Sequence, residues 1–192
     1  MKRLAALPAA LAIACAFAST GLAAQETYKV DPNHATANYE IRHFGVSTQR
    51  GFFNKVTGTA TIDTAAKKGT ADITIDMASV TAHVPKLSEH LRSEDFFDAA
   101  KFPTATFKST DFRFDGDKPA SIAGELTIKG VSKPVTLAVS SFTCSQNPMN
   151  KKAMCGAEAT ATIKRSEWGV TKFIPAVADE VKLIISVEAY KE

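Results

Sequence analysis

Along most of the chain, apolar and polar residues alternate with a period of two, the pattern of a half-buried β-strand. In the stretch 180–190, EVKLIISVEAY, apolar residues take every odd position from Val181 to Val187. Eight stretches carry the pattern: 34–43, 54–63, 70–79, 103–112, 121–130, 134–142, 156–165 and 180–190. Polar outer faces and turn sequences between the stretches predict a mainly β domain, an eight-stranded antiparallel barrel or sandwich.

One segment, residues 83–103, interrupts the β pattern with a helical period. Pro85 suits the first turn of a helix, and Leu87 and Leu91, four residues apart, share a helical face. Ser93 is placed to cap a second short helix. The segment therefore predicts a helical flap that covers an apolar part of the barrel.

Many strand positions expected to face inward are occupied by small residues. They are Ala35, Ala37, Gly58, Ala60, Ala71, Ala105, Gly124, Ala157, Ala159 and Ala161. An eight-stranded barrel has room for side chains or for one small ligand, so small residues favour a hollow interior. A closer approach of two sheets, or large aromatic rings lying over the small residues, explains the same pattern.

The N-terminus has the order of a secretory signal peptide. Lys2 and Arg3 precede an apolar run over 4–17, and the small residues of STGLAAQ follow. The run is short for a membrane span. We expect residues 1–23 to be a cleaved signal and 24–192 a single domain, exported to the periplasm and not integral to a membrane. A lipoprotein cut before Cys15 is the alternative.

Loss of the signal leaves 21 basic and 20 acidic residues, a net charge of +1. Such a balance gives no broad field for nucleic acid. Cys144 and Cys155 remain, and they flank a loop-like sequence, SQNPMNKKAM. In an oxidising compartment this pair predicts a disulfide across a hairpin; a metal or redox role is the alternative.

Motifs of catalysis do not occur: the sequence holds no GxSxG, HExxH, P-loop or dinucleotide fingerprint. The four histidines, at positions 34, 43, 83 and 90, lack the spacing of a strong metal site. We therefore expect no catalytic residue, no metal and no cofactor other than a bound ligand.

Four polar residues near predicted strand or loop ends are candidates for contact with a ligand's polar head. His43 faces inward by strand parity, and Arg42, Arg50 and Lys86 are nearby cations. A histidine bonded to local backbone and three solvated cations is the simpler interpretation. Trp168, the one tryptophan, suits either a cavity wall or a core anchor.

Several segments together resemble the YceI-like family, exported lipocalin-like barrels that bind polyisoprenoids or other long-chain amphiphiles. The most specific are LRSEDFFDAAKFPTATFKST and GELTIKGVSKPVTL. Similar segments are YKVDPNHATANYEIRH, RGFFNKVTGTATID, IKRSEWGV and DEVKLIISVEA. Ala35 stands where a serine commonly follows the histidine, which puts a hydroxyl contact there in doubt.

The resemblance implies a lipocalin-like barrel that holds a lipid chain beneath the flap. With the strand parity it predicts a set of wall and flap residues. They are Tyr39, Ile41, Phe53, Ile73, Ile75, Leu87, Leu91, Phe96, Phe97, Phe102, Phe107, Leu126, Ala159, Ala161, Trp168 and Leu183. For the four phenylalanines of 95–109, ordinary core packing is the competing interpretation.

The function expected from this is a periplasmic binding or carrier protein for a long-chain amphiphile such as a polyprenyl phosphate or a quinone-like molecule. Two alternatives stay open: an enzyme acting on a lipid or quinone-like ligand in the same cavity, and a stress-response protein with an incidental pocket. The expected partner is a lipid and not nucleic acid, and unpaired strand edges leave homodimerisation open.

Overall fold

The computed structural model describes residues 25–192, so the predicted signal peptide and its cleavage sites lie outside the described residues. The strands are β1 (Glu26–His43), β2 (Ser47–Phe53), β3 (Val56–Asp63), β4 (Lys68–Asp76), β5 (Val80–Ala82), β6 (Thr104–Asp115), β7 (Lys118–Ile128), β8 (Val131–Gln146), β9 (Ala153–Lys164) and β10 (Val177–Lys191). One α-helix, α1 (Pro85–Arg92), and two 3₁₀ turns, Met77–Ser79 and Arg165–Trp168, complete the elements of this range.

Eight of the strands form a closed antiparallel barrel. Their order is β10-β9-β8-β7-β6-β4-β3-β1, and β1 pairs with β10 to close the ring. The closing pairs run from Tyr28↔Lys191 to His43↔Val177. These eight strands correspond to the eight alternating stretches of the sequence, so the predicted barrel is confirmed. Closure removes the free strand edges that an open sheet would expose.

The first strand changes partner halfway along its length. Its pairing with β10 is irregular between Val30 and Ala35. Before this point β1 pairs with β3, and after it β1 pairs with β2, which in turn pairs with β5. Neither β2 nor β5 was predicted, because β2 carries a polar, glycine-containing sequence and β5 has three residues.

The flap contains one helix rather than two. Ser93 ends α1, and its hydroxyl donates back to the His90 carbonyl at 2.7 Å instead of capping a following helix. Asp98 takes a positive φ of 48°, and its N–H donates to the Ser93 carbonyl at 2.8 Å. The prediction of a second helix is therefore wrong: the chain closes into turns that lead to Pro103.

The predicted disulfide is present. Cys144 and Cys155 are directly opposed partners on β8 and β9, with Cα atoms 4.0 Å apart. The bond closes the hairpin whose loop spans residues 147–152. It lies at the end of the barrel opposite the flap, since β8 begins beside the flap and runs away from it.

Candidate ligand-binding cavity

The barrel encloses a cavity of about 530 Å³ that extends beneath the flap. This volume lies in the range of small-molecule binding sites. Thirteen of the sixteen residues predicted as wall or flap line it. They are Tyr39, Ile41, Phe53, Ile73, Ile75, Leu87, Leu91, Phe96, Phe97, Phe107, Leu126, Trp168 and Leu183.

Side chains that face the barrel axis are only partly covered by protein. Ile41, Leu183 and Ile185 line the cavity and remain half-buried, although strand parity turns them inward. In a filled core they would be fully packed. Their residual exposure is consistent with an open space inside the barrel.

The small inward residues are not the main cause of this space. Of the ten, only Ala37 and Ala105 line the cavity. Gly124 lies beneath the Phe107 ring, where an added Cβ would fall 2.5 Å from Phe107 Cζ. Ala35 packs with Val30 in a separate core cluster. The competing interpretation of a small residue beneath an aromatic ring therefore holds for Gly124, while the wall itself is made of larger apolar side chains.

Three predicted wall residues lie away from the cavity. Phe102 packs over Gly130 in the β7–β8 turn, 3.3 Å from the position of an added Cβ. Ala159 and Ala161 face inward on β9, but their partners on β10, Ile185 and Leu183, have the longer side chains that reach the space. Ala159 is buried, and Ala161 packs against the core cluster around Trp168.

Trp168 serves both roles that the sequence left open. It is 1% exposed and belongs to the core cluster with Phe107 and Leu126, yet its ring also contributes to the cavity wall. Its indole N–H donates to the Leu126 carbonyl at 3.0 Å. The hydrogen bond satisfies the buried polar group, so the ring presents an apolar surface.

Polar residues line the cavity on β1 and β2 and just after β5, and Asn38, His90 of α1 and Arg165 also belong to the lining. His43, Gln49, Arg50 and His83 all line it. Arg50 and His83 flank the paired residues Gly51 and Ala82, so they are neighbours across two strands. Gln49 and His83 were not predicted: Gln49 lies on an unpredicted strand, and His83 follows a three-residue strand that alternation cannot detect.

The predicted head-group cations differ in position. Arg50 lines the cavity, and its Nε lies 2.6 Å from Glu40 Oε1. Arg42 does not line it and donates to the Gly45 carbonyl and to Thr48. Lys86 is exposed on α1, also away from the lining.

Tyr39 presents a neutral hydroxyl on the cavity wall. Burial raises the pKa of Tyr39 to about 12, so the group stays protonated at physiological pH. Its oxygen lies against Gly51, where any Cβ would collide with it and with the Thr81 carbonyl. The glycine thus lets the tyrosine lie across β2.

The flap is joined to the loop before β10 by charged and aromatic contacts. His90 Nε2 lies 2.8 Å from Asp95 Oδ2, and Lys172 Nζ lies 3.1 Å from Asp95 Oδ1. Hydrogen bonds from His90 and then Lys172 hold the pKa of Asp95 below its usual value. The Phe173 ring is tilted by 47° against the Phe96 ring, with centroids 6.2 Å apart, and Phe173 also lines the cavity.

No helix within residues 25–192 is both long and apolar enough to cross a bilayer. The same residues contain no group of three or more His, Cys, Asp or Glu side chains placed to hold a metal ion.

The profile of the YceI-like domain matches residues 28–189, which is nearly the whole described chain. The chain belongs to the YceI-like family. Among its relatives are a UPF0312 protein of Pseudomonas aeruginosa (strain LESB58), 36% identical over 189 residues, and Protein YceI of Salmonella arizonae, 38% identical over 179 residues. The first match covers 96% of this chain and 97% of the relative, and the second 91% and 92%.

Solved structures share this architecture. Burkholderia cenocepacia BcnA superposes with a TM-score of 0.70 at 29% identity, covering 83% of this chain and 98% of that one. A polyisoprenoid binding domain from Saccharophagus degradans gives a TM-score of 0.64 at 16% identity, covering 86% and 98%. The second likeness shows the fold alone. The family resemblance read from the sequence is therefore confirmed.

Proposed function

We propose that this YceI-like protein binds and carries a long-chain amphiphile, such as a polyisoprenoid, in the barrel cavity. The observation that carries the proposal is the cavity of about 530 Å³, whose wall is almost wholly apolar and carries a few polar side chains. Burial of a hydrocarbon tail gains about 25 cal/mol per Å² of apolar area, so the wall supplies affinity and polar groups orient the head. The binding domain from Saccharophagus degradans adds a precedent for such a ligand in this fold.

We place the polar head beside His43, Gln49, Arg50 and His83, which line the cavity on β1 and β2 and just after β5. These groups offer hydrogen-bond donors to a phosphate or a quinone oxygen. Arg42 and Lys86 lie off the wall, so we assign them no contact with the head inside the cavity. The predicted signal peptide supports export to the periplasm, where a carrier of lipids between membranes would work.

The test is mass spectrometry of an organic extract from the purified protein. A long-chain isoprenoid or fatty amphiphile, present in proportion to the protein, is the expected result. Repeated extracts without lipid, together with no binding of added polyprenyl phosphate or quinone, would overturn the proposal and favour an incidental pocket. Chemical conversion of the added compound would favour the enzyme.

Two neighbouring residues of β10 provide a matched pair of variants. Leu183 lines the cavity, whereas the next residue, Ile184, faces outward and pairs with Asn38 and Thr160. Leu183→Trp is expected to reduce the amount of extracted lipid by at least about tenfold, because the indole fills space that the tail occupies. Ile184→Trp is expected to leave it unchanged. Equal lipid content in the two variants would contradict a tail seated in the cavity.

A further inference from the structure

Exposed apolar side chains gather around one end of the barrel. Phe44 and Val46, in the β1–β2 turn, are 64% and 79% exposed. Val84 precedes α1, and Phe173 and Ile174 lie in the loop before β10; all three are also exposed. Singly exposed apolar residues are common on protein surfaces, but a cluster of them marks an interaction site.

These residues belong to three segments that we call the rim: residues 42–46, 83–87 and 171–176. The first and third are joined, since the Phe44 N–H donates to the Ala176 carbonyl at 2.7 Å. The second leads into α1, whose His90 ring lies 6.1 Å from the Phe173 ring. The rim is therefore a single surface of the molecule.

The rim surrounds the place where the cavity meets solvent. Val84 and Phe173 line the cavity and are also exposed, so they mark its opening. An apolar surface thus continues from the outside of the protein into the cavity.

Each rim segment also carries one lysine or arginine and no acidic residue. They are Arg42, Lys86 and Lys172, all exposed. The acidic partner of Lys172, Asp95, comes from outside the rim. Apolar side chains beside long cationic ones are the arrangement of interfacial membrane-binding surfaces, in which the apolar groups enter the lipid and the cations meet anionic head groups.

We propose that the rim docks on the surface of a lipid bilayer that contains anionic lipid, so that a lipid enters the cavity without crossing water. This inference rests on the proposed function for its purpose, because only a membrane-resident ligand needs this route. The occupant follows from the continuity of the apolar surface with the cavity and from the cations of the three segments. Binding of a second copy of this chain or of another protein would not require an apolar surface that continues into the cavity.

The experiment measures flotation of the purified exported protein with vesicles of phosphatidylcholine, alone and mixed with phosphatidylglycerol. Binding is expected to be stronger with phosphatidylglycerol and to weaken as salt rises. The variant Phe44→Asn/Val46→Ser/Ile174→Ser is expected to lose at least about tenfold in vesicle affinity. Asparagine is chosen at Phe44 because the residue has a positive φ of 49°, which asparagine tolerates.

None of the three altered residues lines the cavity, so the variant separates docking from ligand binding. It should bind detergent-solubilised polyprenyl phosphate as the wild type does, but take the same compound up from vesicles more slowly. Met149→Ser is the control for Val46→Ser, because Met149 is 91% exposed in the disulfide-closed loop at the opposite end. It should not change flotation.

Three results would overturn the docking proposal: no flotation of the wild type even at low salt, equal flotation of the triple variant, or a wild-type dimer that the triple variant converts to a monomer. The last would assign the rim to a protein interface. Docking without any bound or extractable lipid would instead refute the proposed carrier function and leave the docking surface in place.

Discussion

At the scale of single residues, Arg165 shows how one buried charge organises a loop. Its guanidinium donates to the carbonyls of Val170, Lys172, Val177 and Ala178 at 2.8–2.9 Å. The side chain is 7% exposed, and burial lowers the pKa of Arg165. Two acceptors, Val170 and Lys172, lie in the loop after the 3₁₀ turn Arg165–Trp168, and two, Val177 and Ala178, begin β10. The arginine therefore ties both ends of the loop that holds Phe173 at the cavity opening.

Replacement of this arginine is expected to be costly. Arg165→Lys keeps the charge but loses the planar fork, so carbonyls that now accept from the guanidinium lose their partner. We expect the free energy of unfolding to fall by about 2–4 kcal/mol, as measured by urea denaturation. Arg113→Lys is the control: its side chain is 82% exposed, and a change within about 0.5 kcal/mol is expected. A similar small change for Arg165→Lys would show that the loop does not depend on the fork.

At the scale of elements, the flap is held by both side-chain packing and charge. Val80, Leu91, Phe96 and Val170 form a buried cluster between β5, α1 and the loop before β10. Above it, the Asp95 carboxylate joins His90 of α1 to Lys172 of that loop. The position of the flap therefore depends on the ionised Asp95 carboxylate as well as on apolar burial.

The pH dependence of this link has a definite sign. The pKa of Asp95 is lowered in the folded protein, so its contribution is present above the unfolded value of about 3.9 and is lost as pH falls through the folded value. Asp95→Asn is expected to lower the midpoint of thermal unfolding at about pH 7. The difference from wild type should shrink as pH falls below the unfolded value of about 3.9 and vanish below the folded value.

The adjacent exposed acid Glu94 provides the comparison, since Glu94→Gln should leave the midpoint nearly unchanged over the same pH range. Hydrogen exchange of the α1 amides gives a second measurement, because Asp95→Asn should speed local opening of the flap. A difference between Asp95→Asn and wild type that persists undiminished at the acidic end would contradict the carboxylate's role.

At the scale of the whole molecule, a closed barrel tolerates a hollow interior because its backbone hydrogen bonds do not depend on what fills it. The ring is held by eight strand pairings, while packed clusters lie at the end formed by Tyr28, Cys155 and Ala189 and around Trp168. The interior between them gives up dispersion contacts that a filled core would gain. A ligand would restore those contacts.

The proposed carrier should therefore be less stable when it is empty. Protein stripped of lipid by unfolding, solvent extraction and refolding is expected to melt at a lower temperature than protein purified with its ligand. Added polyprenyl phosphate at about 100–1,000 times its Kd should restore about 3–4 kcal/mol. Stripped Leu183→Trp supplies the control, because its filled cavity should respond little to the same compound. Equal melting of stripped and loaded wild-type protein would contradict the expectation.

The sequence by itself determined the eight antiparallel strands, the disulfide and most of the cavity wall, and the family resemblance chose the barrel over the sandwich. Side chains alternate between the two faces of a strand, so the sequence alone assigns an inward direction to its apolar positions. Ile41, Ile73, Phe107 and Leu183 were assigned in this way, before it was known which strands pair. The two cysteines were found because they flank a loop that joins consecutive strands. In both cases local pattern and final position agree.

Only the tertiary structure decided where polar side chains line the cavity and which parts of the interior are empty. His83 and Phe173 reach the cavity from irregular segments, whose direction depends on distant partners such as Asp95 and Ala176. Whether a small inward residue borders a space depends on its neighbour across the strand: Gly124 is covered by Phe107, whereas Ala37 is open to the cavity. Parity gives the direction of a side chain, but the volume in front of it is set by contacts between strands far apart in sequence.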